Sequence, residues 1–156
     1  PNSYQRLAPG MWASAYACYG PDNREAAVRL ASPVAGAESA TANVEIKPVD
    51  VSANPYLALA AVLAAGMDGM ERSLDPGEPT TVDPATLGDE ERDSKGIYPL
   101  PASLDEALDA LEKDKVLVEA LGEQIVRTHL AVGRAQAAMA RELSPEEVAA
   151  AAAMNY

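Results

Sequence analysis

The strongest constraint on the fold is a helix that begins at residues 54 and 55 and continues as an apolar segment. Asn54 is a preferred N-cap residue, and Pro55 suits the first helical position. The following segment, Leu57 to Met67, is apolar on nearly every side. Because a helix without a polar face is buried all round, we expect it to pack against strands or against another subunit. The apolar run is shorter than the about 20 residues that span a bilayer, so no membrane partner is predicted.

Strand patterns precede this helix. Ala13 to Tyr19 and Ala26 to Leu30 suit two strands, and the turn formers at 20–23 between them predict a hairpin. A third strand is expected from Asn43 to Lys47, where Pro48 ends it. Strands first and helices after indicate the α+β class. We therefore expect one domain-sized unit over residues 1–156, with a strand region at 1–50 and a mainly helical region at 51–156.

Helix signals dominate the second region. Residues 74–101 contain five prolines and predict a long surface loop. Ser103 and Glu106 form a capping-box pattern that starts the next helix. A change in the phase of the apolar residues predicts a break at residues 114–115, and a second start signal at 144–147 predicts a short last helix.

Charge and cysteine content narrow the function classes. The net charge of −12 argues against a nucleic-acid partner, because the phosphate backbone would be repelled. Residues 1–50 hold four basic and five acidic side chains, whereas the rest of the chain holds eight and nineteen. The single cysteine, Cys18, forms no internal disulfide, and with His129 it gives no zinc-ligand set. A cytoplasmic location is expected.

The third strand sorts its residues chemically. Val44 and Ile46 alternate with Asn43, Glu45 and Lys47, so the polar side chains share one face. Solvation explains most such faces. The nearly neutral first region also carries three arginines, with only this one acid on the strand face; they are Arg6, Arg24 and Arg29. Such an excess of cations suits an anionic ligand, with Glu45 free to hold a metal, although scattered arginines are usually solvated.

Four ordered segments carry a family resemblance. They are NSYQRLAPG at 2–10, PDNREAAVRL at 21–30, NVEIKPVDVSANPYLALAAVLAAGMDGM at 43–70 and PLPASLDEALDAL at 99–111. In order and spacing they resemble consecutive blocks of the glutamine synthetase catalytic domain. The resemblance implies the antiparallel strands of the family's catalytic barrel followed by packed helices. It also implies that these residues are the C-terminal portion of that domain, inactive alone, in a homo-oligomer of stacked rings.

The resemblance implies a two-step ligase reaction. Glutamate attacks ATP through its side-chain carboxylate, and ammonia or an amine then displaces phosphate from the γ-glutamyl phosphate, with Mg²⁺ or Mn²⁺ bound. By position, Glu45 matches a metal ligand, and Arg6 and Lys47 match groups that bind the substrate carboxylate. Arg24 matches a catalytic arginine that also holds the phosphates; Arg29 and Asn43 occupy further phosphate-binding positions.

Three positions depart from the family's pattern. Trp12 replaces the flap glutamate and cannot act as a base. Asn43 replaces an arginine, and Lys47 keeps a charge but loses the two-pronged geometry that fits a carboxylate. An aromatic flap suits a larger acceptor, such as a polyamine or ethanolamine. The alternative is a glutamine synthetase-like scaffold or regulatory protein that has lost catalysis.

Overall fold

The computed structural model describes residues 2–11 and 13–155. The chain divides into a unit that contains residues 5–50 and 75–100 and a helical unit that contains residues 51–74 and 101–155, together with 2–4. The strands are β1 (Tyr16–Pro21), β2 (Ala26–Ala31), β3 (Asn43–Ile46) and β4 (Tyr98–Pro99). The helices are α1 (Glu38–Thr41), α2 (Pro55–Glu71), α3 (Asp89–Ser94), α4 (Leu104–Lys113), α5 (Lys115–Leu121), α6 (Glu123–Ala140) and α7 (Pro145–Asn155), and 3₁₀ turns cover Asn2–Gln5 and Pro84–Thr86.

The sheet is mixed, in the order β3-β2-β1-β4. β2 pairs antiparallel with β3, and β1 pairs antiparallel with β4. The central pair, β1 and β2, is parallel, so the predicted hairpin is wrong. The α+β class is confirmed, while the described strands form an open sheet rather than a closed, all-antiparallel barrel. β3 and β4 each pair on one side only, so the described sheet has two edges and does not close on itself.

A short connection makes the parallel pairing unusual. Parallel strands normally need a crossover of about a dozen residues, whereas β1 and β2 are joined by residues 22–25 alone. Gly20 and Pro21, which the sequence pattern places in a turn, belong to β1. The chain reverses after them, where Ala26 donates its N–H to the Asn23 carbonyl at 3.3 Å.

The buried Asn23 side chain fixes this connection. Its amide nitrogen donates to the carbonyls of Thr80 at 2.7 Å and Val82 at 2.9 Å, and its oxygen accepts the Glu25 N–H at 2.9 Å. Thr80 in turn donates its N–H to the Tyr19 carbonyl at 2.8 Å. All polar atoms of this buried amide therefore have partners, which a buried polar group needs to avoid a desolvation cost.

Residues 75–100 hold more structure than the predicted surface loop. They contain α3, β4 and a 3₁₀ turn, and Ile97 is only 3% exposed. Arg92 ties the segment together, because its guanidinium donates to the carbonyls of Pro84, at 3.1 Å, and Leu87, and lies 5.2 Å from the centre of the Tyr16 ring. The proline and charge content of these residues therefore predicted a surface loop where the structure has a segment that packs on the sheet.

The helical unit follows its sequence signals closely. Ser103 accepts the Glu106 N–H at 3.2 Å and caps α4, and Asp114 separates α4 from α5 at the predicted break. Ser144 and Glu147 exchange hydrogen bonds at the start of α7. In the core between α4 and α6, the buried Leu108 side chain packs against Gly133. A Cβ at Gly133 would lie only 2.8 Å from Leu108 Cδ2.

Helix α2 begins as predicted but is not buried all round within the described chain. The Asn54 side chain accepts the N–H groups of Tyr56 and Leu57. Leu59, Leu63 and Met67 are each more than half exposed. The large apolar surface of α2 is therefore left open by the described residues. Between residues 2 and 155, with Trp12 aside, no helix combines the length and apolar character needed to cross a membrane.

We expect Gly20→Ala to destabilise the full-length protein by about 1–3 kcal/mol, the usual cost of overpacking. A Cβ at Gly20 would lie 2.0 Å from the Thr80 carbonyl oxygen, which Asn23 holds in place. Denaturant unfolding measures the change. Gly88→Ala is the matched control, since a Cβ there meets no atom within 4 Å, and equal effects of the two substitutions would contradict the close approach.

Candidate functional site

The β2–β3 pairing places Arg29 directly opposite Glu45. One terminal nitrogen of Arg29 donates to both carboxylate oxygens of Glu45, at 3.1 and 3.3 Å. The side chains are 24% and 43% exposed respectively, so the pair is open to solvent on one side. The sequence analysis predicted that these two residues belong to one site, and the structure brings them together.

A second carboxylate lies on the other side of Arg29. The other terminal nitrogen of Arg29 lies 3.7 Å from Asp22 Oδ1. Asp22 accepts hydrogen bonds from the Ser32 hydroxyl and from the Ser32 N–H, the latter at 2.9 Å. These two bonds, with a smaller contribution from the Arg29 charge, lower the pKa of the Asp22 carboxyl. Asp22 is thus a second carboxylate beside the Arg29 guanidinium.

The third nitrogen of the Arg29 guanidinium is Nε. It is buried and has no hydrogen-bond partner in the part of the chain that the structure describes. A buried donor without an acceptor is costly. The Arg29 guanidinium thus has carboxylates at its two terminal nitrogens, while its buried Nε has no acceptor among the described residues.

Arg6 and Lys47 meet just beyond the end of β3. The Arg6 guanidinium donates to the Lys47 carbonyl at 3.4 Å and lies 3.9 Å from Asp50. Lys47 lies just after β3, whereas the predicted strand included it. Its N–H nevertheless extends the hydrogen bonding between β3 and β2, because it donates to the Ala27 carbonyl at 2.9 Å. Two predicted substrate-binding residues are therefore neighbours through the backbone.

The remaining predicted residues are Asn43, Arg24 and Trp12. Asn43 begins β3 opposite Ala31, and its exposed amide donates to the Thr41 carbonyl at 3.0 Å. Arg24 is exposed in the connection before β2. Trp12, the predicted flap residue, lies outside the described residues.

The apolar side of β3 is open as well. Val44 is 57% exposed and Ile46 is 37% exposed, so neither side chain is in a core formed by the described residues. The simple interpretation of an alternating strand, with apolar residues buried and polar residues solvated, does not hold here. Glu45 is instead the residue with the specific partner.

Glu45 does not complete a metal site by itself. Across residues 2–11 and 13–155, no three His, Cys, Asp or Glu side chains gather into a group that would hold an ion. Arg29 also occupies both Glu45 oxygens. The described residues therefore supply fewer than three ligands of these types, and further ligands would have to come from elsewhere.

A sequence model of the glutamine synthetase catalytic domain matches residues 1–150. The chain belongs to the glutamine synthetase family. It is 42% identical to a γ-glutamylpolyamine synthetase, GlnA3, of Streptomyces coelicolor, over all of this chain and 34% of that protein. It is 44% identical to a glutamate–methylamine ligase of Methyloversatilis universalis, over 78% of this chain and 27% of that protein. The chain thus spans about a quarter to a third of the length of the curated relatives it matches.

Solved structures show the same relationship within the glutamine synthetase family. A crystal structure of a novel glutamine synthase homologue superposes with a TM-score of 0.77 and 37% identity, over 99% of this chain and 33% of that one. A GmaS complex with ADP superposes with a TM-score of 0.68 and 33% identity, over 85% of this chain and 28% of that one. These likenesses extend across both units of the described chain.

Asp22 is a site residue that the sequence pattern does not mark. Its place in a run of turn formers predicts a hairpin, which would put Asp22 far along the strand from Arg29. Parallel pairing instead sets Gly20 beside Arg29 and Pro21 beside Leu30, so the residue after β1 reaches the guanidinium. No local signal in the sequence marks a parallel pair with so short a connection.

Proposed function

We propose that a longer protein containing these residues is an ATP-dependent ligase that joins ammonia or an organic amine to the γ-carboxylate of glutamate through a γ-glutamyl phosphate. The observation that carries the proposal is the cross-strand Arg29–Glu45 pair, at 3.1 Å, in a chain of the glutamine synthetase family. A guanidinium beside an exposed carboxylate offers both a phosphate-binding group and a metal-binding group on one sheet face.

The arginines and the lysine would bind the anionic substrates. Arg24 and Arg29 would hold the ATP phosphates and offset the charge that develops during phosphoryl transfer, which is mainly a matter of position and electrostatics. Arg6 and Lys47 would bind the glutamate carboxylate. Asn43 would contact phosphate as a neutral donor, weaker than an arginine.

Glu45 would serve as one ligand of a Mg²⁺ or Mn²⁺ ion, completed by ligands from outside the described residues. Its carboxylate is 43% exposed, which leaves it accessible. Such an ion, when bound, offsets negative charge on the transferring phosphoryl group. ATP is the co-substrate.

The acceptor would be an amine larger than ammonia. Trp12 cannot take a proton from an incoming ammonium, whereas an indole ring suits the alkyl part of an organic amine. Two relatives named for polyamine and methylamine substrates support this choice. We also propose a cytoplasmic homo-oligomer, in which another part of the assembly covers the exposed apolar residues of α2.

A scaffold or regulatory protein without catalysis is the second candidate. The absence of a flap acid at Trp12 favours it. The Arg29–Glu45 pair, in a chain of the glutamine synthetase family, favours the ligase.

We expect the full-length protein to release phosphate from ATP only when both glutamate and an acceptor are present. The assay combines glutamate, ATP and Mg²⁺ with ammonia, methylamine, ethanolamine and polyamines, and measures phosphate against acceptor concentration. An organic amine should give a higher kcat/KM than ammonia. No phosphate release with any acceptor would sink the ligase proposal and leave the scaffold.

Glu45→Gln in the full-length protein should abolish phosphate release, because a neutral amide is a poor ligand for a divalent ion. The free energy of unfolding should change by less than about 1 kcal/mol, since partly exposed ion pairs contribute little. Glu112→Gln is the matched control, because Glu112 is also an exposed partner of an arginine, 2.7 Å from Arg134. Full activity of Glu45→Gln, or equal losses in both variants, would contradict the role of Glu45.

A further inference from the structure

We propose that Asp22 is a positioning residue, which holds the Arg29 guanidinium where it can meet the phosphates of the nucleotide. The inference rests on the proposed function and adds a residue that acts through Arg29 rather than on the substrate. It concerns the arrangement of Asp22, Arg29 and Glu45, in which one guanidinium lies between two carboxylates.

The two carboxylates act on different ends of the guanidinium. Glu45 accepts from Nη1 at 3.1 and 3.3 Å, while Asp22 lies 3.7 Å from Nη2. A planar guanidinium that is attracted at both terminal nitrogens has little freedom to rotate. Its terminal N–H groups are then held in direction, while Nε is buried and has no acceptor among the described residues.

Asp22 is itself held firmly enough to act as an anchor. Its N–H donates to the Leu30 carbonyl at 2.9 Å, and its carboxylate accepts from the N–H and hydroxyl of Ser32. Its backbone has a φ of 50°, a left-handed conformation that favours Asn, Asp and Gly. The anchor thus depends on the ends of both central strands.

Charge balance indicates what Asp22 does for Arg29. Without Asp22, Glu45 would be the one carboxylate beside the guanidinium among the described residues, and Arg29 would be drawn toward β3. With Asp22 present, the pull on Nη1 is countered at Nη2. Asp22 thereby keeps Arg29 from collapsing onto Glu45, and it does so while remaining exposed, with 53% of its side chain accessible.

Asp22→Asn separates this electrostatic role from a structural one. Asparagine tolerates the left-handed backbone, and its carbonyl oxygen still accepts the Ser32 N–H. In the full-length protein we expect the dissociation constant for ATP, measured by calorimetric titration, to rise about threefold to fivefold, with the melting temperature nearly unchanged. Asp22→Gly, which also suits a φ of 50°, should weaken ATP binding equally and serves if the Asn variant does not fold.

Asp75→Asn is the matched control. Like Asp22, Asp75 accepts a backbone N–H through its carboxylate, in this case from Gly77 at 2.9 Å. Asp75→Asn removes one negative charge, as Asp22→Asn does. ATP affinity should stay at the wild-type value. An equal loss in the two variants would show that the effect does not depend on the contact with Arg29, and it would overturn the inference.

A double-mutant cycle tests whether Asp22 affects ATP binding through Arg29. In an Arg29→Gln background, Asp22→Asn should leave the ATP dissociation constant unchanged, because the group that Asp22 positions is gone. A similar loss of ATP affinity in both backgrounds, or no loss in either, overturns the role of Asp22. The proposed function still stands in that case, provided that the wild-type protein binds ATP. If the wild-type protein binds no ATP, the proposed function and this inference fail together.

Discussion

The parallel pairing of β1 with β2 is the constraint on which the candidate site depends. It sets the end of β1 beside Arg29, and the antiparallel β3 then sets Glu45 on the other side. The four-residue connection that makes this pairing possible is fixed by the buried Asn23 amide and by the close approach of Thr80 to Gly20. Residues 75–100 therefore support the strands that carry the site, although they contribute none of its predicted ligands.

The geometry of Arg29 links this backbone arrangement to chemistry. A guanidinium between two carboxylates carries less net charge locally than an isolated one, but its orientation is defined. For a group that has to meet a phosphate, orientation matters as much as charge, because a preorganised donor needs no rearrangement during the reaction. The partial exposure of Arg29 and Glu45 leaves room for a ligand that the described residues do not themselves provide.

Local signals in the sequence predicted the helical unit well and the sheet less well. The caps at Asn54, Ser103 and Ser144 and the break at Asp114 depend on nearby residues alone, and the structure has all four. The pairing of β1 with β2 depends on residues 57 positions or more away, so a turn-forming run was interpreted as a hairpin. The Arg29–Glu45 pair was predictable because the family resemblance places both residues. Asp22 was not, because its role follows from the strand direction.

The central claim is that glutamate becomes a γ-glutamyl phosphate in the site that contains Arg29 and Glu45. Hydroxylamine tests it most directly, since it attacks an acyl phosphate whatever the natural acceptor is. The full-length protein, given glutamate, ATP and Mg²⁺, should form γ-glutamyl hydroxamate in equal amount to ADP, and Glu45→Gln should form none. Formation of hydroxamate without ATP would contradict a γ-glutamyl phosphate intermediate, and so would a wild-type protein that forms no hydroxamate.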